Sequence, residues 1–188
     1  MDLRVGIVCS LWGLGICAGV VAMVHYEVTP GAAATPPAKY AKQIQAPKGE
    51  LLVFLHPQCG CSTATVDELA RVVTGAKDAF QTVAYFYKPA CEPDSWCVGT
   101  TLWNQAKLIP GVNLEVDVDG KTAKSFGVRC SGQVLLYSAK TGKLVFSGGV
   151  TESRGHEGES RGEDAIAEFA RSGACPVSKT NVFGCAIW

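Results

Sequence analysis

The chain has 188 residues, with 17 basic and 17 acidic side chains and a formal net charge of zero. This length is sufficient for one folded domain with a small appendage. The sequence contains no long run of basic residues, which nucleic-acid binding would require, and this argues against that class of function.

The nine cysteines are the unusual feature of the composition. Cys9 and Cys17 lie in an apolar N-terminal stretch, where a thiol behaves as a small apolar side chain. The other seven lie in the remainder of the chain, at a density that favours an oxidising compartment. Because seven is an odd number, at least one of these thiols is free, binds a metal or pairs with another molecule.

Residues 5–24 form an apolar segment without a charged side chain. Twenty residues of α-helix span about 30 Å, the thickness of the hydrocarbon core of a bilayer. The segment is longer than the apolar core of a signal peptide, and the nearest small-residue site, GAAAT, lies beyond it and past Pro30. We therefore predict an uncleaved transmembrane anchor over residues 1–26 rather than a cleaved signal.

The charges that flank the anchor leave its orientation open, because Arg4 precedes the span and three lysines follow it. The cysteine content favours a short cytoplasmic N-terminus and an extracytoplasmic domain. Residues 27–50 are rich in Pro, Ala and Gly and predict an irregular linker. The folded domain is expected over residues 51–188, including a C-terminal tail.

Hydrophobic periodicity within the domain predicts strands that alternate with helices, followed by a hairpin and a last helix. The predicted elements are a buried strand at 51–55, a helix at 62–74, a strand at 82–87, a short helix near 100–108, a strand at 113–118, a hairpin of 133–138 and 143–148, and a helix at 161–171. This order predicts an α/β fold in which helices flank a mixed β-sheet.

The segment HPQCGCS, residues 56–62, ends the first strand of the domain and begins its first helix. A thiolate at a helix N-terminus is stabilised by unpaired backbone N–H groups and by the helix dipole, which predicts a nucleophilic Cys59. Gly60 allows a close approach of Cys61, and a bridge between these two cysteines would be strained and easily reduced. Cys130 and Cys185 are alternative thiols that could resolve an attack by Cys59.

Metal binding is the competing interpretation of the same motif. The Gly-rich loop that contains His156 is expected to emerge at the sheet edge where the Cys-Gly-Cys motif lies. Cys59 and Cys61 together with His156 would offer thiolate and imidazole donors suited to copper(I) or zinc. A solvated His156 in a polar loop is the alternative.

Two structural disulfides are also predicted. Cys91 and Cys97 flank a turn-rich loop, and Cys175 and Cys185 flank a short segment that contains Pro and Gly. The tail ends in apolar and aromatic residues that should dock on the domain, since their exposure would be costly. If Cys185 instead reaches the Cys-Gly-Cys edge, it becomes a resolving thiol or a third metal ligand.

LLVFLHPQCGCSTATVDEL and the later FGVRCSGQVLLY resemble the corresponding segments of thioredoxin-like domains. With the single N-terminal span, the chain is similar to membrane-tethered thiol-disulfide oxidoreductases of the TlpA/ResA type. More narrowly, HPQCGCS, SGGVTESRGHEG and VFGC resemble small bacterial proteins of the RedB-like group. The resemblance implies a protein of the bacterial cytoplasmic membrane whose domain faces the periplasm and whose substrates are protein thiols or disulfides.

The resemblance also assigns positions. Cys59 matches the attacking thiol, whereas Ser62 occupies the place of the usual second cysteine. Gly132 occupies the place of the family's cis-proline, which implies that Cys130 lies near Cys59. Thiol-disulfide exchange needs no cofactor, and it is the first hypothesis. The other two hypotheses are a metal-delivery module and a structural subunit of a membrane complex. In the structural subunit the cysteines would form only structural disulfides.

Overall fold

The computed structural model describes residues 3–76 and 78–188. The helices and strands follow the predicted order, with a short 3₁₀ turn added at Asp94–Trp96. They are α1 Leu3–Val28, β1 Gly49–Leu55, α2 Ser62–Ala76, β2 Phe80–Lys88, α3 Thr101–Lys107, β3 Val112–Val118, α4 Lys121–Ser125, β4 Gln133–Ser138, β5 Leu144–Gly148 and α5 Arg161–Ser172.

The five strands form one mixed sheet in the order β3-β2-β1-β4-β5. Strand β1 is central, parallel to β2 on one side and antiparallel to β4 on the other. Strand β3 extends the parallel half, and β5 pairs with β4 as the predicted hairpin. The predicted thioredoxin-like α/β fold, with helices on both faces of a mixed sheet, is confirmed.

All seven residues of β1 are buried, because alternate side chains of this central strand enter two separate cores. Leu51, Val53 and Leu55 pack in the core that α2, α3 and α5 cover. Leu52 and Phe54 pack in the second core on the opposite face. The continuous apolar run in the sequence thus reflects burial on both faces of the sheet.

The second core is covered largely by irregular chain. The segment between α1 and β1 was predicted as a linker, and it lies along this face. Its residue Tyr40 stacks on Tyr137 with ring centroids 5.1 Å apart and donates a hydrogen bond of 2.6 Å to Glu50. The C-terminal tail adds Ile187, which is 2% exposed. Both segments are therefore part of the domain's packing.

Helix α1 has the length and composition needed to cross a membrane. Within Arg4–Val28, an 18-residue stretch has a mean hydropathy of 2.3, and none of that stretch is buried against the rest of the chain. A helix of 25 such residues is about 37 Å long, which is sufficient to span the hydrocarbon core. The N-terminal apolar helix expected from the sequence is present.

Candidate active site

Cys59 lies in the turn that connects the central strand β1 to helix α2. The Cys59 N–H donates to the carbonyl of His56 at 3.0 Å, and the Ser62 N–H donates to the carbonyl of Cys59 at 3.0 Å. These bonds fold the motif tightly at the carboxyl end of β1. The side chain of Cys59 is only 4% exposed, so its sulfur is covered by other parts of the chain.

The C-terminal tail supplies the partner of Cys59. The Sγ atoms of Cys59 and Cys185 lie 3.0 Å apart, in contact across 126 positions of the sequence. A disulfide bond is about 2.05 Å long, so an approach of about 1 Å would join them. The sulfurs of Cys59, Cys61 and Cys185 all lie within 4.8 Å of one another. The predicted Cys-Gly-Cys motif is therefore one part of a three-thiol cluster.

The surroundings of Cys59 favour its thiolate. Burial alone would raise the pKa of Cys59, but hydrogen bonds from the side chain and backbone of Ser62 and from Cys185 outweigh it, so the pKa is lowered. The pKa of Cys185 is raised to about 12 by burial and by its hydrogen bond to Cys59. Because the two pKa shifts have opposite signs, Cys59 is the thiol that ionises. Cys185 keeps its proton and donates a hydrogen bond to the sulfur of Cys59.

Two buried serines complete the floor of this site. The hydroxyls of Ser62 and Ser131 are 2.6 Å apart. Ser131 Oγ also accepts a hydrogen bond of 2.8 Å from the His56 N–H, and the Ser131 N–H donates to the carbonyl of Cys185 at 2.8 Å. Ser131 thus joins the strand end, the helix start and the tail. Sequence reasoning did not identify this role, because no local pattern distinguishes a linking serine from any other.

Cys130 lies beside the cluster but outside it. Its side chain is 2% exposed, and its sulfur lies 3.5 Å from the carbonyl oxygen of Ser131, to which it donates. Burial raises the pKa of Cys130 to about 11. The structure therefore brings Cys130 near the site as a protonated, enclosed thiol, and it brings Cys185 into contact with Cys59.

The structure does not bring His156 to the three sulfurs. His156 is exposed in the loop after β5, and of the residues that the structure describes, the compact group of possible metal donors contains cysteines only. His56 is half-buried between Tyr87 and Trp96, with ring centroids 5.6 and 5.5 Å away. Burial lowers the pKa of His56, so it is neutral near pH 7.

The loop after β5 nevertheless contacts the site through Arg154. Its guanidinium donates hydrogen bonds to the carbonyls of Gly184, Tyr26 and Thr29, and its N–H donates to the carbonyl of Glu27. These contacts join the residue before Cys185 to the end of α1. Arg154 therefore lies beside the residue that precedes Cys185.

Glu68 binds the C-terminal part of the same loop. Sequence reasoning did not identify this residue. Its side chain is fully buried, and Oε1 accepts a hydrogen bond of 2.8 Å from the Gly158 N–H. The signal was present, because a carboxylate at position 68 lies on the apolar face formed by Thr65, Leu69 and Val72. A buried acid on such a face needs hydrogen-bond donors from another element.

The two predicted structural disulfides do not form in this structure, in which all nine cysteines are free thiols. Cys91 is exposed, whereas Cys97 is fully buried in the first core. The sulfur of Cys175 donates to the carbonyl of Val177 at 3.1 Å, and Cys185 contacts Cys59. The alternative position of Cys185, at the Cys-Gly-Cys edge, is the one observed.

No family model and no curated protein sequence matches the chain. An uncharacterised conserved protein from Geobacillus kaustophilus is similar in structure, with a TM-score of 0.60 and 17% identity over 86% of this chain and 93% of that one. A hypothetical protein from Sinorhizobium meliloti 1021 is similar with the same TM-score, 0.60, and 17% identity over 86% of this chain and 96% of the other.

A third structure has a lower TM-score, 0.47, with 16% identity over 68% of this chain and 83% of that chain. It is a secreted Mycobacterium tuberculosis disulfide oxidoreductase homologous to E. coli DsbE. At identities this low, structural similarity concerns the fold alone. The chain itself has a thioredoxin-like sheet order, with a three-thiol cluster at the start of the first helix of the domain and a long apolar helix before it.

Proposed function

We propose that this protein is a membrane-tethered thiol-disulfide oxidoreductase in which Cys59 is the nucleophile and Cys185 is the resolving thiol. The 3.0 Å contact between their sulfur atoms is the observation that carries the proposal. The resemblance to TlpA/ResA-type and RedB-like proteins supports the same assignment. Cys61 is the nearby third thiol, in reach of both partners.

The exchange proceeds in two steps that balance. The Cys59 thiolate attacks one sulfur of a substrate disulfide; a Cys59–substrate bond forms, the substrate disulfide breaks, and its second sulfur leaves as a thiolate that takes up a proton. Cys185 then attacks Cys59 Sγ, forming the Cys59–Cys185 disulfide and releasing the first substrate sulfur, which accepts the proton of Cys185. Two electrons and two protons pass from this dithiol to the substrate, and the reverse sequence oxidises a substrate dithiol.

The neighbouring residues prepare each thiol for its step. The hydrogen bonds from Ser62 stabilise the attacking thiolate of Cys59. The bond between the Ser131 N–H and the Cys185 carbonyl fixes the backbone of the resolving thiol. Both supports come from the domain itself.

Helix α1 supports a location at the bacterial cytoplasmic membrane, with the domain on the periplasmic side. The Arg154 bonds connect the end of α1 to Gly184, next to the resolving cysteine. This connection would hold the thiol cluster close to the membrane surface, where the substrates would be protein thiols or disulfides.

Activity on a model disulfide tests the proposed function. We expect the full chain in detergent to show a rapid phase of exchange with a small aromatic disulfide, and Cys59→Ser to lose this rapid phase while exposed thiols such as Cys91 still react slowly. Cys185→Ser should leave the first attack intact and accumulate the mixed disulfide on Cys59. Cys91→Ser is the matched control, because Cys91 is an exposed thiol outside the cluster. Unchanged exchange by Cys59→Ser would contradict the proposal.

A second candidate function is the binding of copper(I) or zinc by the cluster. The observation that favours it is the convergence of three cysteine sulfurs within 4.8 Å, since thiolates are the donors that these ions prefer. The donor set would then be Cys59, Cys61 and Cys185, with Cys185 in the place that sequence reasoning gave to His156.

Metal analysis of the full chain separates the two candidates. A metal-binding module should retain about one ion per chain under reducing conditions, lose it in Cys61→Ser and keep it in His156→Ala. A purely redox site should retain no ion in any of these proteins and should still exchange disulfides.

A further inference from the structure

The C-terminal segment Gly184–Trp188 is an obstacle to the proposed reaction as well as a part of it. Cys59 is 4% exposed, yet its sulfur must be reached in line by a substrate disulfide. The group in contact with this sulfur is Cys185 of the same segment. A substrate therefore gains access only when the segment leaves its place.

The segment is bound as a short extended strand. Its backbone forms an antiparallel bridge between Ala186 and Cys130. The carbonyl of Cys185 accepts from the Ser131 N–H at 2.8 Å, and the Ile187 N–H donates to the carbonyl of Arg129 at 2.9 Å. Main-chain hydrogen bonds of this kind do not depend on the bound sequence, so another extended polypeptide can make them.

Alternate side chains of the segment enter the domain, as expected for a strand. Cys185 contacts the nucleophile, and Ile187, two residues further on, is 2% exposed in the second core. The intervening Ala186 is exposed, and Trp188 is 47% exposed. The domain thus has one position for a cysteine and, two residues later, a pocket for an aliphatic side chain.

The segment is the last part of the chain, and the residues that precede it are fixed to the body of the domain. Asn181 and Val182 are fixed by backbone bonds to Gly149 and Gly31, and Val182 and Phe183 are buried. A cavity of about 370 Å³ lies beside the terminal segment and is lined by residues that include Gly184, Ala186 and Trp188. The chain is anchored up to Phe183. For the end to lift, the backbone bonds of Cys185 and Ile187 must break, together with the bonds from Arg154 to Gly184 and from Trp188 Nε1 to the Val128 carbonyl.

We propose that Gly184–Trp188 occupies the binding site of the substrate, which is an extended polypeptide segment with the sequence pattern Cys-x-aliphatic. The substrate segment displaces the tail, pairs with residues 129–131 as a strand and presents its disulfide-bonded cysteine to Cys59. The tail then returns, and Cys185 resolves the mixed disulfide while the tail takes back the backbone bonds. This inference rests on the proposed function and specifies its substrate class.

The test uses full-length variants in detergent and three probes. Cys185→Ser removes the proposed resolving thiol and keeps the tail sequence otherwise unchanged. On that background, Ile187→Asp weakens tail docking, and Leu108→Asp is the matched control, because Leu108 is an apolar residue that is 82% exposed. The first probe is the peptide NVFGCAIW with its cysteine bonded to thionitrobenzoate, the second has Asp in place of its Ile, and the third is the small symmetric thionitrobenzoate disulfide.

We expect Cys185→Ser/Ile187→Asp to react with the first peptide about tenfold faster than Cys185→Ser or the Leu108 control, because the loss of one buried aliphatic side chain is worth at least that factor. In the same variant the Ile-containing peptide should react about tenfold faster than the Asp-containing peptide. If Ile187→Asp fails to fold, Ile187→Ala should rank the variants and the peptides in the same order of reaction rate, with smaller ratios between the rates.

Equal rates for the two peptides, or no acceleration by loosening the tail, would overturn the inference while reaction with the small disulfide still supports the proposed function. Failure of Cys59 to react even with the small disulfide, in every variant, would overturn the proposed function itself.

Discussion

Ser62 shows how a single side chain adapts this motif to its chemistry. It stands at the position of the second cysteine in the family that the motif resembles, and hydrogen bonding by its hydroxyl and backbone helps to lower the pKa of Cys59. Ser62 is itself 1% exposed and is held by Ser131. It therefore stabilises the thiolate without competing as a thiol.

Ser62→Ala removes one of these donors, and we expect the pKa of Cys59 to rise. The change should move the midpoint of the pH profile for alkylation of Cys59 by iodoacetamide to higher pH, because the thiolate is the reactive form. In the unsubstituted protein this midpoint should lie below the ordinary cysteine pKa of 9.0.

Ser178→Ala is the matched control, since Ser178 is exposed on the tail away from the cluster. Its profile should coincide with that of the unsubstituted protein. A Ser62→Ala profile that does not move would mean that the hydroxyl of Ser62 does not support the thiolate.

Sequence reasoning at this scale identified the nucleophile but left its partner open among three cysteines. Cys59 is recognisable because its position at a helix start is a local property. The contact with Cys185 depends on where a tail 126 positions away docks, and no local pattern encodes that docking. The role of Ser131 depends on the same docking and was missed for the same reason.

Helices α2 and α5 meet through an acidic pair that couples their packing to pH. Burial, followed by its hydrogen bond to Glu68, raises the pKa of Glu163, and Arg71 opposes the shift only in part. A carboxyl group whose pKa is raised by folding holds its proton more tightly in the native state. Its contribution to the free energy of unfolding therefore decreases as the pH rises above its ordinary value of 4.5.

We expect Glu163→Gln to be stabilised relative to the unsubstituted protein, by an amount that grows between about pH 4 and pH 7. Urea unfolding followed by circular dichroism at several pH values measures this difference. Glu157→Gln, an exposed change in the preceding loop, should show no such trend. A difference that shrinks with rising pH would contradict the assigned direction.

Two glycines in helices should respond to alanine in opposite ways. Gly75 in α2 has open space around it, so Gly75→Ala should raise the free energy of unfolding by about 0.5–1 kcal/mol. Gly162 in the first turn of α5 lies against the backbone of Gly149, and a Cβ there would collide with a carbonyl oxygen. Gly162→Ala should therefore lower the free energy of unfolding by about 1–3 kcal/mol.

Urea unfolding of this pair tests how closely α5 packs on the end of β5. Equal effects of the two substitutions would show that the backbone near Gly149 can shift to accept a Cβ at position 162 without loss of stability.

The bounds of the elements themselves were predictable to within about three residues, because period-two and helical patterns are local properties of the sequence.

The whole molecule combines a long apolar N-terminal helix with a domain whose second face is covered by irregular segments. Sequence patterns predicted the sheet, because its strands are apolar runs. The apolar end of the tail was expected to dock on the domain, but the patterns did not predict that the linker would pack on that sheet, since Pro-rich segments carry no periodicity. Tyr40 in the linker and Ile187 in the tail mark the two places where this packing occurs.

Membrane association is expected to depend on α1 alone. The full chain should remain in the membrane fraction after extraction with alkaline carbonate, and a chain without residues 3–28 should be released. Intact-mass analysis of the mature protein distinguishes an uncleaved anchor, which keeps the mass of the full chain, from a signal peptide, which is removed. A mass that corresponds to cleavage near residues 31–35 would contradict the uncleaved anchor.

Disulfide mapping of the mildly oxidised protein tests the central assignment most directly. After reaction of the reduced full chain with one equivalent of an oxidising disulfide, proteolysis and mass spectrometry should recover Cys59 linked to Cys185, because these sulfurs lie 3.0 Å apart. Recovery of Cys59 linked predominantly to Cys61 or Cys130, with Cys185 still a free thiol, would contradict it.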